Sequence, residues 1–510
     1  MIKMRLFRIL HNIIIRIFYV LLCLISTNQL LQAQNFTREQ VLEDISFVVK
    51  TLKSNHPNLY AHRKPKQFAS MVEDVRESVD DEENYYGVLF KIQRILAAVC
   101  DEHTGVTTDG METYNNRSID DQRYVFSQHL IALPRDGDPV LVDGTDERVE
   151  SINGYDARQI RDYIYQLANA DGCADDGIVF TKLRSFFESL ILSNILEIDR
   201  YYLKKAHTPD DLKTQTSLVS ADRVAAALER QHSDFQEQYR RRELLAGIEI
   251  QLPTPPVLID PKLNDSGISV YSNPDKSIYY INSFSFSFGL AQVERTDALL
   301  REMIASKPRH VILDLTSNYG GQSKIASHLL SYFLNKPHRI ASSFRMRNPR
   351  SKLPREYTFL NDEKKKSFAQ IARQFRKVKP RNGQYRLHAI KENFGNPDYK
   401  GNLLVLVSPQ THSGATAVAT VLKRKRNAKL IGYINAGSIR TTCAAAFGFY
   451  SLPVTKISVR IPGLCFDRPK NLRLKGKTLK PDIEVDPLSG ATYLNVKILD
   501  AAIKDIAEAQ

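Results

Sequence analysis

Two loops of this chain carry residue types suited to acyl transfer. The first is Ser408-Pro409-Gln410-Thr411-His412-Ser413-Gly414. It follows the apolar run Leu403 to Val407 and precedes a helical pattern with Ala417, Val418, Val421 and Leu422. A serine on the first turn of a helix sits among N–H groups and partial positive charge that stabilise developing negative charge. Helix capping is the ordinary role of such a serine, so Ser413 alone is weak evidence. The second loop strengthens it. Asp314-Leu315-Thr316-Ser317-Asn318-Tyr319-Gly320-Gly321 follows the buried-type strand Val311-Ile312-Leu313. Gly320 and Gly321 allow close backbone approach and offer N–H groups, as does Gly414. Such donors suit the oxyanion of an acyl-transfer intermediate. Asp314 is expected to cap its strand-end loop rather than act as an acid. His412 is read as structural or substrate-facing, because neighbouring side chains diverge at a helix start. No G-x-S-x-G is present, which disfavours the α/β-hydrolase elbow.

The elements that must hold these loops are legible in outline. Residues 269–510 alternate strand and helix patterns, which predicts an α/β unit with a largely covered sheet. Strands are expected at Ser277 to Ile281, Val311 to Leu313, Leu403 to Val407 and Leu430-Ile431, with a helix over about 289–305. Both motif loops then fall at strand ends facing helix starts, the usual ligand edge of such a sheet. Residues 34–110 read as a helical domain. Thr37 and Gln40 form a capping-box signal, and Val41, Ile45, Val48 and Leu52 recur at helical spacing. Residues 111–268 are mixed, with short strands at Val140 to Val142 and Val149 to Tyr155, helices over 156–169 and 178–205, and a solvated helix over 228–246. Pro253, Pro255 and Pro256 mark the next boundary.

The 510 residues are 43% hydrophobic and 25% charged, which excludes collagen-like, disordered and small disulfide-scaffold classes. Residues 1–33 carry Lys3, Arg5, Arg8 and Arg16, no acid, and a short apolar run from Ile17 to Ile25. That order reads as a secretory signal ending near Ala33, and the protein is expected to be exported to the periplasm or the cell exterior. The retained-anchor alternative needs a longer apolar run. The formal charge is +14, but residues 341–400 hold 16 Lys+Arg against 5 Asp+Glu. The excess is therefore local, and nucleic acid is not expected as a partner. The segment reads as a solvated mobile flap, or a lid or dock for an acidic partner. Cys443 and Cys465 are candidates to pair in an oxidising compartment. No zinc spacing is present, so no metal site is expected.

The two loops resemble those of the tail-specific (C-terminal-processing) serine peptidase family and its tricorn-core relatives. The matching pieces are the DLTSNYGG stretch at 314–321 and Thr411-His412-Ser413-Gly414-Ala415. Gly432 and Gly437, then Pro481-Asp482-Ile483-Glu484-Val485, follow in the family's order. Asn55 to Tyr60 and Asp101-Glu102-His103-Thr104 are similar to one branch of exported members. The resemblance implies a crotonase-like ββα core behind a helical N-terminal domain, with at most a degenerate PDZ-like piece near Val149 to Tyr155. It implies a serine endopeptidase with polypeptide substrates and no metal or organic cofactor. Ser413 would be the nucleophile and His103 the base, with Gly320, Gly321 and Gly414 around the oxyanion. Two departures stand out. Ser438 occupies the place of the lysine base of many members, and Lys475 that of the glutamate orienting the histidine in tricorn-like ones. Asp101 and Glu102 are the remaining candidates for that orientation. The alternative reading is a catalytically idle relative that binds a peptide or an apolar ligand.

Overall fold

Thr37 and Gln40 do form a capping box, each side chain accepting the other residue's backbone N–H. This starts the helix Arg38–Asn55, whose Val41, Ile45, Val48 and Leu52 turn inward at helical period. In the computed structural model it follows the short strand Phe36–Thr37. The helices Pro65–Glu77 and Tyr85–Ala97 pack with it around Phe68, Val75, Ile92 and Ile95. The structure describes residues 35–106, 131–132, 140–141, 148–152, 155–167, 200–205, 214–217 and 268–508. Within the last span it leaves out 288–289, 335, 348, 350–356, 359–361, 393–394, 398, 436, 477 and 486–493. The signal segment and the 228–246 stretch lie outside the described residues.

In the central region, Val149–Ile152, Tyr155–Asp156, Arg200–Lys205 and Thr214–Ser217 form one antiparallel sheet beside the helix Ala157–Leu167. The helix agrees with the sequence pattern over 156–169. The expected helix over 178–205 does not hold at its end, where Arg200–Lys205 is a strand. It is paired on both sides, to Val149–Ile152 and to Thr214–Ser217. Tyr201 and Tyr202 suit a pleated surface, and non-local pairing overrides the local periodicity.

The C-terminal unit is built on six strands in the order Ile268–Ser272, Ile278–Ser283, His310–Asp314, Asn402–Val407, Lys429–Gly432, Ile483–Glu484. The first pair is antiparallel and the rest are parallel. The apolar runs at 311–313 and 403–407 follow from burial on both faces. Val311, Leu313, Val405 and Val407 face the helices Leu290–Ala305, Ser323–Leu330 and Ser413–Arg426. Ile312, Leu404 and Leu406 face the C-terminal helix Leu494–Glu508 through Ile498, Leu499 and Ala502. The sheet is thus sandwiched, and its strand ends present the two motif loops.

The basic segment is not a detached flap. Ser343–Met346 and Tyr385–His388 pair antiparallel and join Leu464–Asp467 and Thr441–Cys443 in a four-stranded sheet. Ala372 and Phe375 of the helix Asp362–Phe375 pack on Met346 and Leu464. Arg345 makes a two-pronged bond to Asp467, with its Nη2 and Nε both 2.8 Å from carboxylate oxygens. Burial works against that carboxylate's ionisation, but the Arg345 hydrogen bonds and charge outweigh it and hold Asp467 below the usual range. The segment also grips the N-terminal domain. Arg345 donates to the Asn58 side chain at 3.2 Å and Gln384 to the Pro57 carbonyl at 2.6 Å. Charge counting marks such a segment as surface, whereas its alternate apolar positions bury a small core of their own.

Candidate active site

The nucleophile loop is laced to the glycine loop strand by strand. Thr411 donates its hydroxyl to the Leu315 carbonyl at 2.8 Å, and the His412 N–H donates to the Asn318 carbonyl at 3.0 Å. The Ser408 hydroxyl donates to the Thr316 carbonyl. Ser413 then opens the helix Ser413–Arg426 with φ of +47°, in the left-handed region that a residue with a Cβ enters at a cost. Asn318 is fully buried. Its amide donates to the Ser283 carbonyl at 2.8 Å, and its Oδ1 accepts the Gly320 N–H at 2.7 Å. Gly320 has φ of +93°, and a Cβ there would lie 2.7 Å from the Gly414 nitrogen and 2.8 Å from the Ser413 Cβ. Gly321 has φ of +134° and a Cβ there would meet the Phe286 backbone at 2.5 Å. Both must be glycine for the two loops to close on each other. Asp314 accepts the Thr316 N–H at 2.7 Å and hydroxyl at 2.6 Å, which is the capping role expected of it.

The His103 loop comes from the N-terminal helical domain. After the helix Tyr85–Ala97, Cys100 turns the chain with φ of +59°. Asp101 then ties the turn together. Its Oδ1 accepts the His103 N–H at 3.1 Å, and its Oδ2 accepts the Thr104 hydroxyl at 2.6 Å and His56 Nε2 at 2.9 Å. His56 Nδ1 accepts the Asn58 N–H at 3.2 Å, which leaves Nε2–H as the donor to Asp101. Gly105–Val106 pairs with Val459–Arg460, anchoring the loop on the C-terminal unit. Arg460 Nε donates to the His103 carbonyl at 2.9 Å. The His103 ring stacks on Phe447 with centroids 6.0 Å apart, and its Nδ1 lies 3.6 Å from Glu102 Oε1 and 3.7 Å from Asp101 Oδ1. The other oxygen of Glu102 takes the Nδ1 of His412. This contact joins the loop of His103 to the residue before Ser413. Tyr319 covers the outer face of the His412 ring.

Residues 278–485 match the model of peptidase family S41. The match covers 208 of the 510 residues and takes in both motif loops, so this part of the chain is similar to S41 peptidases. The family is one of peptidases, so its members act on polypeptides. Among solved structures, a serine-to-alanine mutant of CPAF is similar over 92% of this chain and 96% of its own, with a TM-score of 0.55 at 14% identity. Mature CPAF complexed with lactacystin is similar over 92% and 98%, with a TM-score of 0.53 at 14% identity. At that identity the likeness is one of fold. No curated protein matches the chain.

Around these two loops the structure sorts the sequence candidates. Ser413, Gly320, Gly321 and Gly414 form one cluster, and the Glu102–His412 contact brings the His103 loop to it. Gly320 is corrected as an oxyanion donor, because its N–H is already held by Asn318. Its part is the close approach of its backbone to Ser413 and Gly414. Ser438 is buried and its hydroxyl accepts the N–H groups of Arg440 and Thr441. Gly437 beside it lies against the nucleophile loop, where a Cβ would be 3.3 Å from the Ser413 nitrogen. The lysine place is therefore spatially present but filled by a turn-capping hydroxyl. Lys475 is exposed. His56, Asp101 and Cys443 place donor atoms within 4.8 Å of one another, but Cys443 is bonded to Cys465, so its sulfur is no thiolate ligand. Sequence reasoning missed His56, Arg460 and Arg468, which reach the site only through tertiary packing. The Asn55 to Tyr60 motif was the one signal for His56.

Electrostatics of the His103 loop give a stability test. Burial pushes the Asp101 carboxyl up, but hydrogen bonds from His103 and His56 outweigh it and hold Asp101 well below the usual carboxylate range. Arg460 balances this buried charge, and burial lowers its own pKa against the opposing pull of Asp101 and Glu102. A depressed carboxyl adds stability above its unfolded pKa of about 3.9, which is lost as pH falls further toward the folded value. Asp101→Asn is therefore expected to cost roughly 2–4 kcal/mol at pH 7 and to flatten the acid limb of stability. Urea unfolding at pH 7 and pH 3 checks this. An equal loss at both pH values would assign the Asp101 contribution to packing alone.

Proposed function

We propose that this chain is an exported serine endopeptidase. Ser413 Oγ attacks the scissile carbonyl while His103 takes its proton. The N–H groups of Gly321 and Gly414 hold the oxyanion, His103 gives the proton to the leaving amine as the C–N bond breaks, and water then deacylates the serine with the neutral histidine again as base. The observation that carries this reading is the closure of the Gly320-Gly321 loop onto a left-handed Ser413 at a helix start. Close packing of that kind positions donors before the charge develops. The Glu102 carboxylate between His103 and His412 supplies the orienting group that Lys475 does not.

The Glu102–His412 bond also favours a second reading, in which His412 is the base. A histidine whose Nδ1 faces a buried carboxylate presents Nε2 as an acceptor. Its backbone is tied to Asn318 and its ring is covered by Tyr319, so its proposed role is to hold Glu102 in place.

A fluorophosphonate reacts only with an activated serine. The wild-type protein is expected to be labelled at Ser413, and Ser413→Ala is expected to give no label. An unlabelled wild type would favour the idle, ligand-binding alternative.

A further inference from the structure

We infer that Arg468 is a positioning residue that sets the direction of the Gly414 N–H, and so builds half of the oxyanion site. The inference rests on the serine-peptidase reading above. Arg468 is buried, with 4% of its surface exposed, and follows Asp467 at the end of the Leu464–Asp467 strand. Its own N–H donates to the Arg440 carbonyl at 2.8 Å, which fixes its backbone. Its guanidinium reaches two carbonyls, Nη2 to Ser413 at 3.1 Å and Nη1 to Ile340 at 3.3 Å.

The Ser413 carbonyl and the Gly414 N–H belong to the same planar peptide unit and point in opposite directions. Holding the oxygen on the Arg468 side therefore aims the hydrogen at the opposite side. The Gly320-Gly321 backbone lies close to Gly414: a Cβ at Gly414 would be 3.6 Å from the Gly321 nitrogen. Gly414 is in the first turn of its helix, where an N–H has no carbonyl four residues back to hold it. Ser413 sits at φ of +47°, a conformation that persists only when its surroundings over-determine it. A rotation of the 413–414 peptide, which changes ψ of Ser413 and φ of Gly414, would turn the N–H away. The Arg468 bond opposes this rotation. A charged donor makes a stronger bond than a neutral one, and a planar fork holds both carbonyls at once.

Arg468→Met keeps the length and apolar bulk of the side chain and removes the donors. It is expected to lower kcat by about 100-fold, the loss seen when one oxyanion donor is removed, with KM within about threefold. The second-order rate of fluorophosphonate labelling should fall in parallel, since the phosphoryl oxygen needs the same site. The pH midpoint of kcat/KM should not move, because the base is untouched. Arg468→Lys, which retains one donor, should recover part of the loss. A crystal structure of Arg468→Met should show the 413–414 peptide turned from its wild-type direction.

Wild-type labelling and turnover in Arg468→Met would overturn the inference alone. So would a shifted pH midpoint, or a 413–414 peptide unchanged in the variant crystal structure. Should Arg468→Met fail to fold, Arg468→Lys carries the same kinetic test, and full activity there with the lysine amine off the Ser413 carbonyl would equally overturn it. A wild-type protein that takes no label fails the serine-peptidase reading itself, whichever way the variants behave.

Discussion

Ser413→Ala is expected to lower kcat by roughly 10⁴–10⁶-fold with KM little changed. The hydroxyl forms the bond to the scissile carbonyl only as the transition state develops, so its loss acts on kcat rather than on ground-state binding. His103→Ala should cost several orders of magnitude as well, because an unactivated serine is a weak nucleophile. The double variant should be little worse than either single one, since the two act as a unit. A histidine base makes kcat/KM climb across about pH 6–7, whereas a lysine base moves the rise higher. His412→Ala separates the two histidines. With His103 as the base, it should retain most of the pH profile while lowering activity through a less restrained Glu102. Near-wild-type turnover in His103→Ala, with a dead His412→Ala, would transfer the proton role to His412. Peptide hydrolysis followed from pH 5 to 9 for the four variants decides it.

Gly320→Ala should nearly abolish turnover and labelling, by about 10²–10³-fold or more. A methyl there would sit 2.7 Å from the Gly414 nitrogen and 2.8 Å from the Ser413 Cβ. Those atoms belong to backbone and to the nucleophile, so the clash cannot be relieved by turning a flexible side chain. The glycine's φ of +93° adds backbone strain to any substitute. Together these are expected to lower stability by about 1–3 kcal/mol. Gly383 is the comparison. Its φ is +69° and nothing lies within 4 Å of a Cβ there, so Gly383→Ala carries backbone strain without the clash. Gly383→Ala should therefore lose some thermal stability and keep kcat. Equal kcat in the two variants would remove Gly320 from the closure of the active site.

The C-terminal half of this fold is legible in the chain itself. The apolar runs 311–313 and 403–407, each ending in a polar loop and a helical pattern, specify parallel strands buried on both faces. Local chemistry is enough for such features. Periodicity marks the buried face, Thr37 and Gln40 mark a helix start, and paired glycines mark a close backbone approach. The order of the motifs also pointed to Ser413 and its partner loop. What tertiary structure alone decided is which distant groups meet, and which donors remain after they have met. Gly320 looked like an oxyanion donor until the fold placed the Asn318 amide oxygen on its N–H. The basic 341–400 segment looked like a flap because its charge is visible, while its antiparallel pairing with Leu464–Asp467 is not. Arg200–Lys205 read as helix because its partner Val149–Ile152 is distant in sequence. Arg460 and Arg468 carry no local signal at all. An arginine is chemically the same on a solvated face as against the Ser413 carbonyl, and only the packing of the sheet around it makes it a buried donor.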